Sequence, residues 1–154
     1  MRLLPALLIL TLATGAVAQT APPAQRGAPA PPLALPTGMA PLTQGAYRLS
    51  FRTGETALPA GTAPTLAELG RRLGAASAPG TGRITVEGHA SGPTNDVSAA
   101  RRIALARATA VRDALVAGGL DATRVDVSAL GRTALALDAA DILPPGVTRS
   151  TRTR

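Results

Sequence analysis

Three short segments, Tyr47–Phe51, Arg83–Gly88 and Arg124–Ala129, alternate apolar and polar residues, and two segments of helical periodicity lie between them. Alternation of period two is the mark of a half-buried strand, and recurrence at i, i+3 and i+7 is that of an amphipathic helix. The order strand, helix, strand, helix, strand predicts an α/β fold, an α+β sandwich: a mixed β-sheet in βαβαβ order with two main helices packed on one face. In the first helix Leu66, Leu69 and Leu73 share a face, Glu68 and Arg72 form an i,i+4 pair on the other side, and the segment runs to Ala76. Its start is open between a Thr65/Glu68 capping box and a first turn containing Pro64 behind Thr62. The second helix spans Val97 to Ala117 and stops at Gly118-Gly119, with Leu120 placed to fold back on the last turn. Beyond Gly131 the pattern weakens: Ala134–Ile142 reads as a short helix, Pro144-Pro145-Gly146 breaks it, and Val147–Thr153 reads as a closing edge strand.

The core available to such a fold is small. Of 154 residues 45% are hydrophobic, enough to fold, but Tyr47 and Phe51 are the only aromatic side chains, so Leu, Val, Ile and Ala must fill the interior. With no cysteine the chain has no disulfide, no Cys-based zinc or iron–sulfur site, no thiol nucleophile and no lipid-modified cysteine. A single histidine excludes a His-rich metal site, and no cofactor or metal is expected.

Residues 1–18 carry Arg2, an apolar run from Leu3 to Leu12, and Ala16-Val17-Ala18, the pattern of a cleavable secretory signal peptide. The apolar run is shorter than the ~20 residues that span a bilayer. Residues 19–44 are rich in Ala and Pro and read as a semi-extended linker, which leaves 45–154 as the folded domain. All sixteen basic residues are arginine and the net charge is +7. In an exported protein that charge meets envelope polymers rather than chromosomal nucleic acid, and the chain lacks the aromatic platforms of single-strand binders, so no nucleic-acid partner is expected. Membrane contact is expected to be peripheral or none, with Arg149, Arg152 and Arg154 a solvated terminus.

One residue is out of place. On the second helix at about 100° per residue, Ala100, Ile103, Ala104, Ala108, Val111 and Leu115 form an apolar arc, and Arg107 falls in its middle. A guanidinium on a core-facing side needs partners, because leaving it unpaired costs several kcal/mol. It snorkels to the surface, reaches a carbonyl cluster, pairs internally with Glu87 or Asp96, or grips a ligand carboxylate with its planar fork. The loop from His89 to Asp96 precedes the helix and offers His89, Ser91 and Asp96 as co-liganding groups, although Asp96 equally suits the helix N-cap.

Phe51-x-x-Gly54 before a Leu-rich helix, Ile84-Thr85-Val86-Glu87-Gly88-His89-Ala90, Arg107-Ala108-x-x-Val111-x-x-x-Leu115-x-x-x-Gly119 and Arg124-Val125 with Gly131 resemble the OmpA-like C-terminal domain shared with MotB and Pal. The resemblance covers about Tyr47 to Thr133. It implies non-covalent binding of peptidoglycan, with the diaminopimelate of a stem peptide held between an Asp just after the Gly-His pair and the Arg that Arg107 matches. The family's Gly-His-Thr-Asp reads here Gly88-His89-Ala90-Ser91, its Leu-Ser pair reads Ile103-Ala104, and its preceding Asn reads Ala100. Ser91 thus removes the anion for the ligand's ammonium and leaves the cation for its carboxylate.

The functional expectation is an exported protein of the periplasm and cell envelope, with outer-membrane association as one placement, that binds peptidoglycan weakly through Arg107, Ser91, Asp96 and His89. The alternative is a degenerate domain acting as a structural or protein-interaction module with envelope proteins. Catalysis is not expected: His89, Ser91 and Asp96 crowd one loop without a Gly-x-Ser-x-Gly context, and no phosphate-loop motif is present.

Overall fold

A computed structural model describes residues 32–76 and 82–148. The segment read as a signal peptide, half of the stretch read as linker and the terminal segment from residue 149 lie outside the described residues. The elements follow in the order β1 (Met39–Pro41), β2 (Tyr47–Ser50), α1 (Thr62–Ala76), β3 (Ile84–His89), α2 (Val97–Ala117), β4 (Val125–Gly131) and β5 (Ala139–Leu143), with 3-10 turns at Thr43–Gly45 and Ala122–Arg124. The five strands form one mixed sheet in the order β1-β2-β5-β3-β4. Only β3 and β4 run parallel, joined across α2, and the remaining pairs are antiparallel. This is an α+β sandwich, as the strand and helix periodicity implies.

The helices share one core with one face of the sheet. Leu66 and Leu69 of α1 and Ala108, Val111 and Leu115 of α2 pack with Leu49, Ile84, Val86, Val125, Ala140 and Ile142 from four strands. Because side chains alternate along a strand, Arg48, Glu87 and Asp141 project from the opposite, helix-free face. α1 begins at Thr62, whose amide and hydroxyl both bond the Pro59 carbonyl, so Pro64 sits in the first turn. α2 ends as its double glycine demands. Gly119 has φ +101, its amide bonds the Val116 carbonyl, and Leu120 turns back into the core.

Two segments differ from the sequence reading. Residues 134–142 are not a short helix: a turn at residues 134–135 leads through a loop into β5, which lies between β2 and β3. All five residues of β5 are buried, so the segment shows no alternation, and its Ala and Leu content mimics a helix. β5 is an interior strand, not the closing edge strand that Val147–Thr153 was expected to supply. Val147 instead closes a turn on the Pro144 carbonyl, and residues 149–153 lie outside the described residues. At the other end, β1 forms inside the stretch read as linker and pairs Met39 with Leu49, while Leu33 and Leu35 pack against the core.

α2 approaches β3 closely enough to set everything that follows. Ala100 and Ala104 pack with Ala90, and an added methyl at Gly88 would collide with the Ala104 carbonyl. This contact of small residues brings the next turn of α2, with Arg107, against the carboxyl end of β3. Among the described residues no helix is long and apolar enough to cross a membrane.

Candidate functional site

Arg107 is fully buried at the point where three loops converge. Its Nε donates to the Glu55 carbonyl at 2.7 Å and Nη2 to the Arg52 carbonyl at 3.0 Å, both in the β2–α1 loop. Nη1 donates to the His89 carbonyl at 2.7 Å, where β3 ends, and to Asp138 Oδ1 at 2.8 Å, just before β5. Four of the five guanidinium N–H groups are thereby engaged. The guanidinium carbon also stands 5.2 Å from the centre of the Phe51 ring, a cation–π contact. Arg107 therefore pairs with neither Glu87 nor Asp96. Its countercharge is Asp138.

Asp138 is held as firmly as the arginine it answers. Oδ1 accepts from the Ser91 amide at 3.0 Å and from Arg107, and Oδ2 accepts from the Ser91 hydroxyl at 2.6 Å and the Thr53 hydroxyl at 2.9 Å. Its side chain is 14% exposed. Burial alone would push the carboxyl pKa up, but the hydrogen bonds from the Ser91 hydroxyl and amide, then from Arg107 and Thr53, outweigh it and hold the pKa well below the usual carboxylate range. The acid is ionised wherever the domain is folded near neutral pH.

Of the four residues singled out from sequence, the structure brings Arg107 and Ser91 together, with Asp138 between them. His89 joins the corner through its backbone carbonyl only. Its ring points to the helix-free face, where Nε2 lies 3.1 Å from Asp141 Oδ2. Asp96 caps α2: its carboxylate accepts from the Ala99 amide at 2.8 Å, and Arg102 lies at 3.8 Å. Asp138 escaped the sequence reading because its segment was read as helical. The usable signal was the demand of a core-facing arginine for an anion, which nine acidic residues could meet.

A pocket of about 260 Å³ adjoins this corner, lined by Arg52, Glu55, Ala57, Leu58, Pro59 and Ala60. Its wall includes Arg52 and Glu55, the two β2–α1 loop residues whose carbonyls bind Arg107. Glu87, His89 and Asp141 form a second polar cluster, whose ligand-type atoms lie within 4.8 Å of one another.

A family model described as the OmpA family matches residues 50–142. No curated protein matches the sequence. Among solved structures, the chain is similar to the peptidoglycan-associated lipoprotein from Burkholderia pseudomallei, at 17% identity and a TM-score of 0.49, over 62% of this chain and 87% of that one. It is similar to the OmpA-like domain of FopA1 from Francisella tularensis, at 14% identity and a TM-score of 0.49, over 73% and 78%. The periplasmic domain of Helicobacter pylori MotB is similar at 13% identity and a TM-score of 0.49, over 71% and 87%.

Proposed function

The chain belongs to the OmpA family, and from that premise we propose that it is a non-catalytic, exported envelope protein whose domain associates with peptidoglycan at the Arg107 corner. The observation that carries this reading is the position of Asp138. Its carboxylate rests on the Ser91 amide and hydroxyl and on Arg107, so the corner holds a buried cation beside a partly exposed anion although residue 91 is not acidic. A diaminopimelate side chain, with one carboxylate and one ammonium, is the ligand such a pair complements. The Ser91 and Thr53 hydroxyls donate to Asp138, and their lone pairs remain to accept from an ammonium group.

Weak affinity follows from how fully the pair is already used. A ligand carboxylate must compete with Asp138 for a guanidinium that has four of its five N–H groups engaged. One charge-assisted hydrogen bond contributes about 1.5–3 kcal/mol, so losing one contact to this competition weakens binding by about one to two orders of magnitude. The same saturation favours a second reading, in which Asp138 replaces the ligand altogether and the domain is a structural or protein-interaction module of the envelope.

Co-sedimentation with purified sacculi at two salt concentrations tests the choice, with a diaminopimelate-containing stem peptide as competitor. Arginine-rich proteins adhere nonspecifically to anionic polymers, and salt removes that component. Wall binding predicts pelleting that survives the higher salt, is displaced by the peptide, and drops in an Asp138→Asn variant that circular dichroism shows to be folded. Pelleting abolished by salt and indifferent to the peptide would leave the structural reading.

A further inference from the structure

We propose that Glu87, His89 and Asp141 form a binding site for a divalent transition-metal ion on the helix-free face of the sheet, separate from the Arg107 corner. The backbone puts the three together. Glu87 of β3 and Asp141 of β5 are direct cross-strand partners, and His89 lies two residues beyond Glu87 on the same strand and the same face. Each offers a ligand atom within 4.8 Å of the other two.

The cluster is buried but incomplete. Asp141 is fully buried and the His89 side chain is 3% exposed, yet His89 Nδ1 and Glu87 Oε2 are buried with no hydrogen-bond partner among the described residues. Buried polar atoms left unpaired keep their desolvation penalty without a compensating bond. A metal ion answers the Glu87 oxygen, a carboxylate acceptor that lacks only a Lewis acid. His89 Nε2 stands 3.1 Å from Asp141 Oδ2, close to the roughly 3.3 Å that separates two ligand atoms each about 2.0 Å from one tetrahedral ion.

Charge allows a cation here and sets its class. Arg48 binds Asp141 through Nε at 2.8 Å and Nη2 at 3.1 Å, which offsets one carboxylate, and Glu87 brings a second carboxylate to the cluster. One imidazole and two carboxylates suit Zn²⁺ and its neighbours rather than Ca²⁺ or Mg²⁺, which prefer all-oxygen sets. Three protein ligands leave a fourth position for water. The Arg48 side chain, 23% exposed, marks where the cluster meets solvent. Sequence reading discounted a metal because the chain has one histidine, but cross-strand register supplies the carboxylates that a linear motif search does not join.

His89 is the only histidine of the chain, so its imidazole nitrogen resonances need no assignment. Zn²⁺ is titrated into the tag-free, chelator-treated protein, with ¹⁵N NMR reading the ring and calorimetry reading stoichiometry. The expected result is saturation at one equivalent, a coordination shift at one ring nitrogen, and affinity reduced at least tenfold in Glu87→Gln. That variant changes a half-buried side chain and leaves the histidine in place. Imidazole resonances unmoved by excess Zn²⁺, or a Glu87→Gln variant that binds as tightly as the unaltered chain, would overturn the proposal.

Discussion

Ser91 grips Asp138 with two donors, its amide at 3.0 Å on Oδ1 and its hydroxyl at 2.6 Å on Oδ2, across 47 residues of chain. The uncharged Ser91 thus meets a carboxylate from the loop that leads into β5. That relationship yields predictions whose signs differ from those of a merely degenerate loop.

The first concerns exchange of the carboxylate between the two positions. Asp138→Ser strips a buried guanidinium of its anion and is expected to cost about 3 kcal/mol. Ser91→Asp alone sets a second carboxylate against the first and is expected to cost about 1–2 kcal/mol through like-charge repulsion. The double variant has one carboxylate again beside Arg107, so its stability should exceed the sum of the single effects by more than 1 kcal/mol in urea unfolding. Additive losses would mean that the anion's position, and not merely its presence, is essential.

Acid stability should report the same pair. Asp138 has a folded pKa below its unfolded value near 3.9. Its contribution to stability is therefore complete above about pH 4 and is lost as pH falls through the acid range toward the folded pKa. Glu68 on α1, held at about 2 by hydrogen bonds from Arg71 and then Arg72, shifts in the same direction. It is common to both proteins and cancels in a comparison. Urea midpoints measured from pH 7 down to pH 2 should fall more steeply below about pH 4 for the unaltered chain than for Asp138→Asn. Parallel curves would show that Asp138 is not ionised and paired as described.

Asp96 separates capping from ligand binding. Its carboxylate meets the Ala99 amide at the start of α2 and stands apart from the Arg107 cluster. Asp96→Ala should cost about 1 kcal/mol and Asp96→Asn only a few tenths, because Asn caps nearly as well. Neither should change co-sedimentation with sacculi. A loss of pelleting in a folded Asp96→Asn variant would return Asp96 to the recognition site.

Much of the fold was legible because its elements have one buried face. The Leu66, Leu69 and Leu73 spacing, the alternation around Ile84 and Val86, and the double glycine after Ala117 each express a period or a cap that survives in the sequence. β5 was illegible for the opposite reason: Ala139 to Leu143 are buried on both sides, which erases alternation and leaves an Ala-rich run that suits a helix equally well. The misread strand concealed Asp138, and with it half of the ion pair. β1 was hidden by Pro41 and by its three-residue length, both normal for an edge strand and both read as linker chemistry. Arg107 was legible as an anomaly on its wheel, although its partners were not, since three of its four acceptors are backbone carbonyls that no side-chain pattern reveals.

The placement of Arg107 rests finally on Gly88. A Cβ there would collide with the Ala104 carbonyl of α2, and backbone on both sides cannot yield as a flexible side chain would. Gly88→Ala must push α2 away from β3, which separates Ala100 and Ala104 from Ala90 and draws Arg107, one turn farther on, away from the His89 carbonyl. Overpacking of this kind typically costs 1–3 kcal/mol, and the added loss of a charge-assisted bond takes the expected total to about 3 kcal/mol or more. Ala104→Gly in the same chain removes a methyl but not the carbonyl, so it should rescue little. Urea unfolding of Gly88→Ala and of the double variant measures both effects. Full rescue by Ala104→Gly would show that side-chain bulk, rather than backbone approach, sets the distance between β3 and α2.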